Sequence, residues 1–189
     1  MSPSTPAIRA ETAEDSHAIR RLLLTTFPSD AEAAVGVELR TASSLPVSLV
    51  AVESRRVVGH IAFSPVSIEP QPHKACMILG LAPFAVAQDA QRRGIGSALV
   101  QAGLKACAAA GWDGVLVLGD PGYYRRFGFV PAAERRLRRL FDAPPEAFMT
   151  WETASGTLPV HEAMVPFTQR SAASWERAVW RADPQCCGQ

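Results

Sequence analysis

Two apolar runs with a helix-spaced stretch between them constrain this chain most. Residues 75–86 read "ACMILGLAPFAV" and residues 114–119 read "GVLVLG". Strand, helix and strand follow one another within about 45 residues, which makes a βαβ unit with parallel strands and a right-handed crossover. The first run has almost no polar residue, as a central strand covered on both faces requires. Pro83 breaks that regularity. Without an N–H it cannot donate to a ladder, so a bulge or a broken pairing is expected near Ala82 to Phe84.

The flanking pattern is antiparallel. "AIRAE" (7–11) is a short strand, Thr12 or Asp15 caps the helix after it, and Ala18, Ile19, Leu22, Leu23 and Phe27 keep helical spacing up to Pro28. A second helix opens at Asp30, with Ala34, Val35, Leu39 and Ala42 on one face. Val47 to Val52 and Val57 to Val66 flank a polar "ESRR" turn and read as a hairpin. In the crossover, Ile95, Ala98, Leu99, Ala102, Ala106 and Ala109 line one helical face and Gly111 stops the helix. "AFMTWET" (147–153), a turn at Ser155 and Gly156, and "VHEAMVPF" (160–167) read as a closing antiparallel pair. The expected class is α+β, with a mixed, mostly antiparallel sheet and one parallel seam. The expected segments are a flexible N-terminus (1–6), a single domain (7–168) and a tail (169–189).

Bulk properties exclude more than they assign. A length of 189 residues fits one domain, and a net charge of +1 gives no global attraction to DNA or to an acidic membrane. No apolar run reaches the ~18 residues of a membrane span. Cys76, Cys107, Cys186 and Cys187 form no CxxC pair, and no secretory signal opens the chain, so a reducing, cytoplasmic setting without disulfides or a metal site is expected.

The chemistry concentrates in "AQRRGIGSALV" (90–100), where two glycines sit at the start of a helix behind two arginines. A helix N-terminus offers unpaired N–H groups and a partial positive charge, and glycine lets an anion come close to the backbone. Phosphate binding and an ordinary strand-to-helix turn both satisfy these residues. A Walker loop is excluded, because no lysine closes the motif. A dinucleotide fingerprint is excluded too, because "GIGSAL" has leucine where the third glycine belongs. What remains is Q/R-x-x-G-x-G/A, here Gln91-Arg92-Arg93-Gly94-Ile95-Gly96.

With that motif, the strand order and a second segment, "GDPGYYRRFGF" (119–129), the chain resembles the GNAT superfamily of acetyl-CoA-dependent N-acetyltransferases, and within it a widespread bacterial branch. The resemblance covers residues 7 to about 167 and implies the order β-α-α-β-β-β-α-β-α-β-β, with the parallel seam splayed between the fourth and fifth strands. It implies that backbone N–H groups from Arg92, Arg93, Gly94, Ile95, Gly96 and Ser97 hold the pyrophosphate of acetyl-CoA, with Gln91 also among the cofactor-binding residues. The edge of Phe84, Ala85 and Val86 would pair with the pantetheine arm. Tyr124, four residues before Gly128, fits the position of an acid that protonates the departing thiolate and also contacts the cofactor, with Tyr123 the lesser choice. Asp120 would orient the acceptor or relay a proton, or serve only as turn chemistry. The implied reaction is direct acetyl transfer to a primary amine on a small molecule or peptide, without a metal.

Three matters stay open on the sequence. The general base is unassigned among Glu38, Glu53, Glu69, His60 and His73, with His60 read as a satisfied core histidine. "RRFGFVPAAERRLRRL" (125–140) carries six arginines against one glutamate, a solvated or cofactor-facing surface with RNA as the minor alternative. The chain acts as a monomer or a homodimer, and a non-catalytic module that senses acyl-CoA or binds a partner is the rival to an enzyme.

Overall fold

The computed structural model describes residues 6–26, 45–69, 76–139, 144–154, 158 and 163–165. The sheet is organised around β3 (Arg56–Val66) and β4 (Ile78–Val86), which pair antiparallel through the middle of the molecule. β1 (Ala7–Ala10) and β2 (Val47–Glu53) extend the sheet on one side. On the other, β4 pairs parallel with β5 (Gly114–Leu118), as the apolar runs require. β8 (Phe148–Glu152) pairs antiparallel with β5, and β6 (Val130–Pro131) closes the edge, giving the order β1-β2-β3-β4-β5-β8-β6. The mixed, mostly antiparallel sheet with one parallel pair is the expected class.

Among the described residues the closing antiparallel pair is not formed. β9 (Ala163–Val165) runs parallel to β7 (Leu137–Arg139) in a separate two-stranded sheet, and β8 spends its two edges on β5 and β6. The expected helix at 30–42 and the tail at 169–189 lie outside the described residues.

Helix α1 (Ser16–Thr26) buries Ile19, Leu22 and Leu23 against Val50 and Ala85, each such side chain contributing about 1.5–3 kcal/mol. Asp15 secures its start. The carboxylate accepts from the Thr12 backbone N–H at 2.8 Å, and Arg9 donates to it through both terminal nitrogens at 2.6 and 2.8 Å.

Helix α2 (Ile95–Ala109) covers the opposite face. Its buried residues are Ile95, Leu99, Val100, Gly103, Leu104 and Cys107, so the stripe is rotated from the expected one: Ala98, Ala102 and Ala106 are only partly buried and Ala109 is exposed. Gly103 sets that rotation, because a Cβ there would stand 2.5 Å from the Phe63 ring. The helix ends at Gly111, in left-handed backbone at φ 82°. There Trp112 N–H bonds Cys107 O and Gly111 N–H bonds Ala108 O, the paired closure of a Schellman motif.

Candidate active site

β4 does not follow β5 to its end. Parallel pairing spans Ile78–Gly80 with Gly114–Leu116 only, while β4 continues to Val86 paired with β3 alone. The register against β3 shifts between Ile61 and Phe63, which face Phe84 and Leu81, so Ala82 and Pro83 together oppose Ala62. This is the bulge expected at Pro83, and the Ala82–Pro83 peptide is cis. A bulge bends its strand and increases the local twist. Phe84, Ala85 and Val86 therefore leave the parallel ladder behind, and among the described residues no strand pairs with their β5-facing edge.

The loop that follows is turned by positive φ at two places, Arg92 (57°) and Gly94 (79°). Gly94 is the N-cap of α2. A Cβ there would meet nothing within 4 Å, so the glycine answers a backbone need rather than a steric one. Ala98 N–H is the first to return to the cap, bonding Gly94 O at 3.0 Å, and the amides of Ile95, Gly96 and Ser97 precede it at the positive end of the helix.

The loop side chains mostly hold the loop. Gln91 Nε2 donates to Val86 O at 3.1 Å, tying the turn to the strand it leaves. Arg93 forms a two-pronged ion pair with Glu53, one prong at 3.0 Å, which raises the arginine pKa further above its already high value. Its charge is thereby balanced inside the protein. Arg92 is exposed.

Gly96 has a different purpose from Gly94. A Cβ on it would stand 2.9 Å from the Tyr123 hydroxyl and 3.1 Å from Phe84 Cζ, so its bare Cα is what lets the two rings close on the first turn of α2. Tyr123 and Tyr124 sit on the short helix α3 (Pro121–Tyr124), where Asp120 caps by accepting the Gly122 N–H at 2.8 Å. Both tyrosines are buried and lie edge-on to each other, with centroids 5.1 Å apart. Tyr124 packs over Gly119 at the end of β5 and edge-on to Phe129 at 5.4 Å. The two consecutive phenols thus address different ground: Tyr123 the α2 terminus, Tyr124 the exit of β5.

Arg126 stacks on Tyr123, its guanidinium carbon 4.6 Å from the ring centroid, and Phe127 meets the same ring edge-on at 5.3 Å. From there a groove of about 430 Å³ runs between α2 and β8, with Lys105, Arg126, Phe127 and Trp151 on its walls. The arginine run passes from the turn after α3 through β6 into β7, and Arg135 pairs with Glu152.

Among the candidate bases, Glu53 is taken by Arg93, and Glu69 is exposed. Glu38 and His73 lie outside the described residues. His60 is fully buried, its Nε2 3.1 Å from Ser48 Oγ and 3.3 Å from Glu11 Oε2, and the Ser48 hydroxyl also donates to Glu11. It is the core histidine the sequence suggested, but only half satisfied: Nε2 has partners, while the buried Nδ1 has no hydrogen-bond partner among the described residues. Cys107 is buried as well, and desolvation pushes its thiol up to about 12. Among the described residues no cluster of His, Cys, Asp or Glu is arranged to hold a metal ion, and no helix is long and apolar enough to cross a membrane.

The parallel pair thus parts opposite a glycine-turned helix N-terminus in a mixed, mostly antiparallel sheet. The Acetyltransferase (GNAT) domain family matches residues 46–131. The uncharacterized N-acetyltransferase YhbS of Escherichia coli K12 is 36% identical over 152 residues, covering 80% of this chain and 89% of YhbS. The chain belongs to the GNAT acetyltransferase family. The crystal structure of E. coli YhbS in complex with CoA superposes with a TM-score of 0.83 at 33% identity, over 90% of this chain and 94% of the other. A GNAT acetyltransferase from Brucella melitensis in complex with acetyl-CoA gives a TM-score of 0.69 at 33% identity, over 88% and 97%.

Proposed function

We propose that this chain is an acyl-CoA-dependent N-acyltransferase that moves acetyl from acetyl-CoA to a primary amine in a ternary complex. The observation that carries the reading is the early end of the β4–β5 ladder at Gly80 and Leu116, beside the free amides at the start of α2. Relatives that bind CoA and acetyl-CoA support it. In this reading the pantetheine amides complete the ladder along Phe84, Ala85 and Val86, and the pyrophosphate rests on the amides from Gly94 to Ser97. Gln91, Arg92 and Arg93 shape that turn, and Arg92 adds charge. The groove beside Phe127 and Trp151 takes the nucleotide end, with Lys105 and Arg126 toward its phosphate.

The amine must shed a proton before its nitrogen attacks the thioester carbon, since an alkyl ammonium has a pKa near 10. Water carries that proton away, as β4 contains no titratable side chain. A backbone N–H of the β4 edge stabilises the oxyanion. When the C–S bond breaks, Tyr124 gives its phenolic proton to the sulfur, releasing CoA as the thiol. Asp120 sets the turn that presents Tyr124, and its second oxygen orients the acceptor.

The lack of a titratable group on β4 also suits a module that binds acyl-CoA without turnover. Calorimetry with CoA does not separate the two. Thiol release from acetyl-CoA against small amines, polyamines, aminoglycosides and peptide N-termini does: acceptor-dependent release supports the enzyme, and tight binding with no release across the panel overturns it.

A further inference from the structure

A cavity of about 500 Å³ lies on the α1 face of the sheet, between α1 and the β2–β3 turn, away from α2. Three guanidinium-bearing residues line it, Arg21 from α1 and Arg55 and Arg56 from the turn, together with apolar Leu22, Val57 and Ala87. No acidic residue is among its described lining. Arg56 is paired with Asp89 at 2.7 Å, but Arg21 and Arg55 have no carboxylate partner among the described residues. Like charges gathered around one concavity repel, and the concave, partly apolar wall focuses their field on the space between them. An anion relieves that repulsion. The planar fork of arginine matches the paired oxygens of carboxylate and phosphate.

We propose that this cavity is a binding site for a small molecule bearing a carboxylate or phosphate group. Its place in the fold gives it access to the acyl-carrier site. Ala87 follows directly on Val86, and the turn that carries Arg55 is clamped to the loop before α2 twice, through Glu53–Arg93 and Arg56–Asp89. An anion held by Arg55 and Arg56 is therefore one ion pair from the segment that turns into α2. The anionic group belongs either to the amine acceptor itself or to a separate effector.

The test uses the full chain saturated with CoA, so that the α2 terminus is already occupied. Inorganic phosphate, citrate and phosphoethanolamine are titrated calorimetrically at physiological ionic strength. Saturable binding of at least one probe is expected, weakened about tenfold or more by combined Arg21→Ala and Arg55→Ala, as loss of charge-assisted hydrogen bonds implies. CoA affinity should stay within about twofold, and circular dichroism checks that these exposed substitutions leave the fold intact. Arg20→Ala, exposed on α1 but outside the cavity lining, is the control and should leave anion binding unchanged. Non-saturable binding, or equal losses in the control and the double variant, overturns the site. If phosphoethanolamine is acetylated and inorganic phosphate competes with it, the anion is the acceptor's own. If phosphate binds without competing, it is a separate ligand, and both outcomes uphold the site. The binding readout does not depend on turnover, so a protein that binds the anion yet transfers nothing contradicts the transferase reading alone.

Discussion

Tyr123 and Tyr124 differ by one position in the chain and by a whole task in the proposed reaction. A phenol stays protonated at neutral pH, so Tyr124 can donate to a thiolate without any special shift, and phenylalanine removes only that donor. Tyr124→Phe is expected to lower kcat by about 10 to 1,000-fold with CoA affinity nearly unchanged, read by steady-state kinetics and calorimetry. Tyr123→Phe should do less to kcat. The two glycines of the loop separate in a similar way. Gly94→Ala forces a Cβ into left-handed backbone at about 1–2 kcal/mol without any clash, whereas Gly96→Val drives a side chain into Tyr123 and Phe84. Both should weaken CoA binding in calorimetry, and Arg92→Ala should cost less than either; a reversed order would mean that side-chain charge dominates. The motif was legible because its glycines are spaced in sequence. The division of labour between them was not, since Tyr123 lies 27 positions from Gly96 and only the folded chain brings its hydroxyl there. Glu53 escaped for the same reason: nothing local marks it as the partner of Arg93, 40 positions on.

At the level of elements, the α1 start is an acid-sensitive joint. Hydrogen bonds from Arg9, helped by those from Thr12 and opposed by burial, hold the Asp15 carboxyl well below the usual carboxylate range. A depressed folded pKa adds stability that is present above the unfolded value near 3.9 and lost as pH falls through the folded one. Asp15→Asn should therefore cost about 1 kcal/mol at neutral pH, and thermal melts should show the gap to the parent closing as pH drops below about 4. In α2, Gly103→Ala should cost about 1–3 kcal/mol by overpacking Phe63, at about 2–4 °C of Tm per kcal/mol. The existence of α2 was readable from its spacing and from Gly111. Its rotation was not, because a helix rich in alanine and glycine is apolar on several faces and the choice falls to Phe63 on a distant strand. β7 was missed because "RRLRRL" has no strand alternation, and the tail strand was consequently paired with the wrong partner.

Over the whole molecule, two edits of an otherwise regular sheet shape the proposed site: a bulge at Pro83 beyond the end of the parallel ladder, and a left-handed turn that leads into α2. Both are written in the sequence, as a proline in an apolar strand and a glycine before a helix, which is why the architecture could be read in advance. The acceptor region could not, since its specificity has no motif and part of it falls outside the described residues. The measurement that tests the central claim most directly is the initial rate of thiol release from acetyl-CoA with the best amine of the panel, for the parent chain and Tyr124→Phe at matched CoA saturation. The account predicts acceptor-dependent release by the parent and a loss of about 10 to 1,000-fold in the variant. Equal rates in the two, or no release by a parent chain that binds CoA, would contradict it.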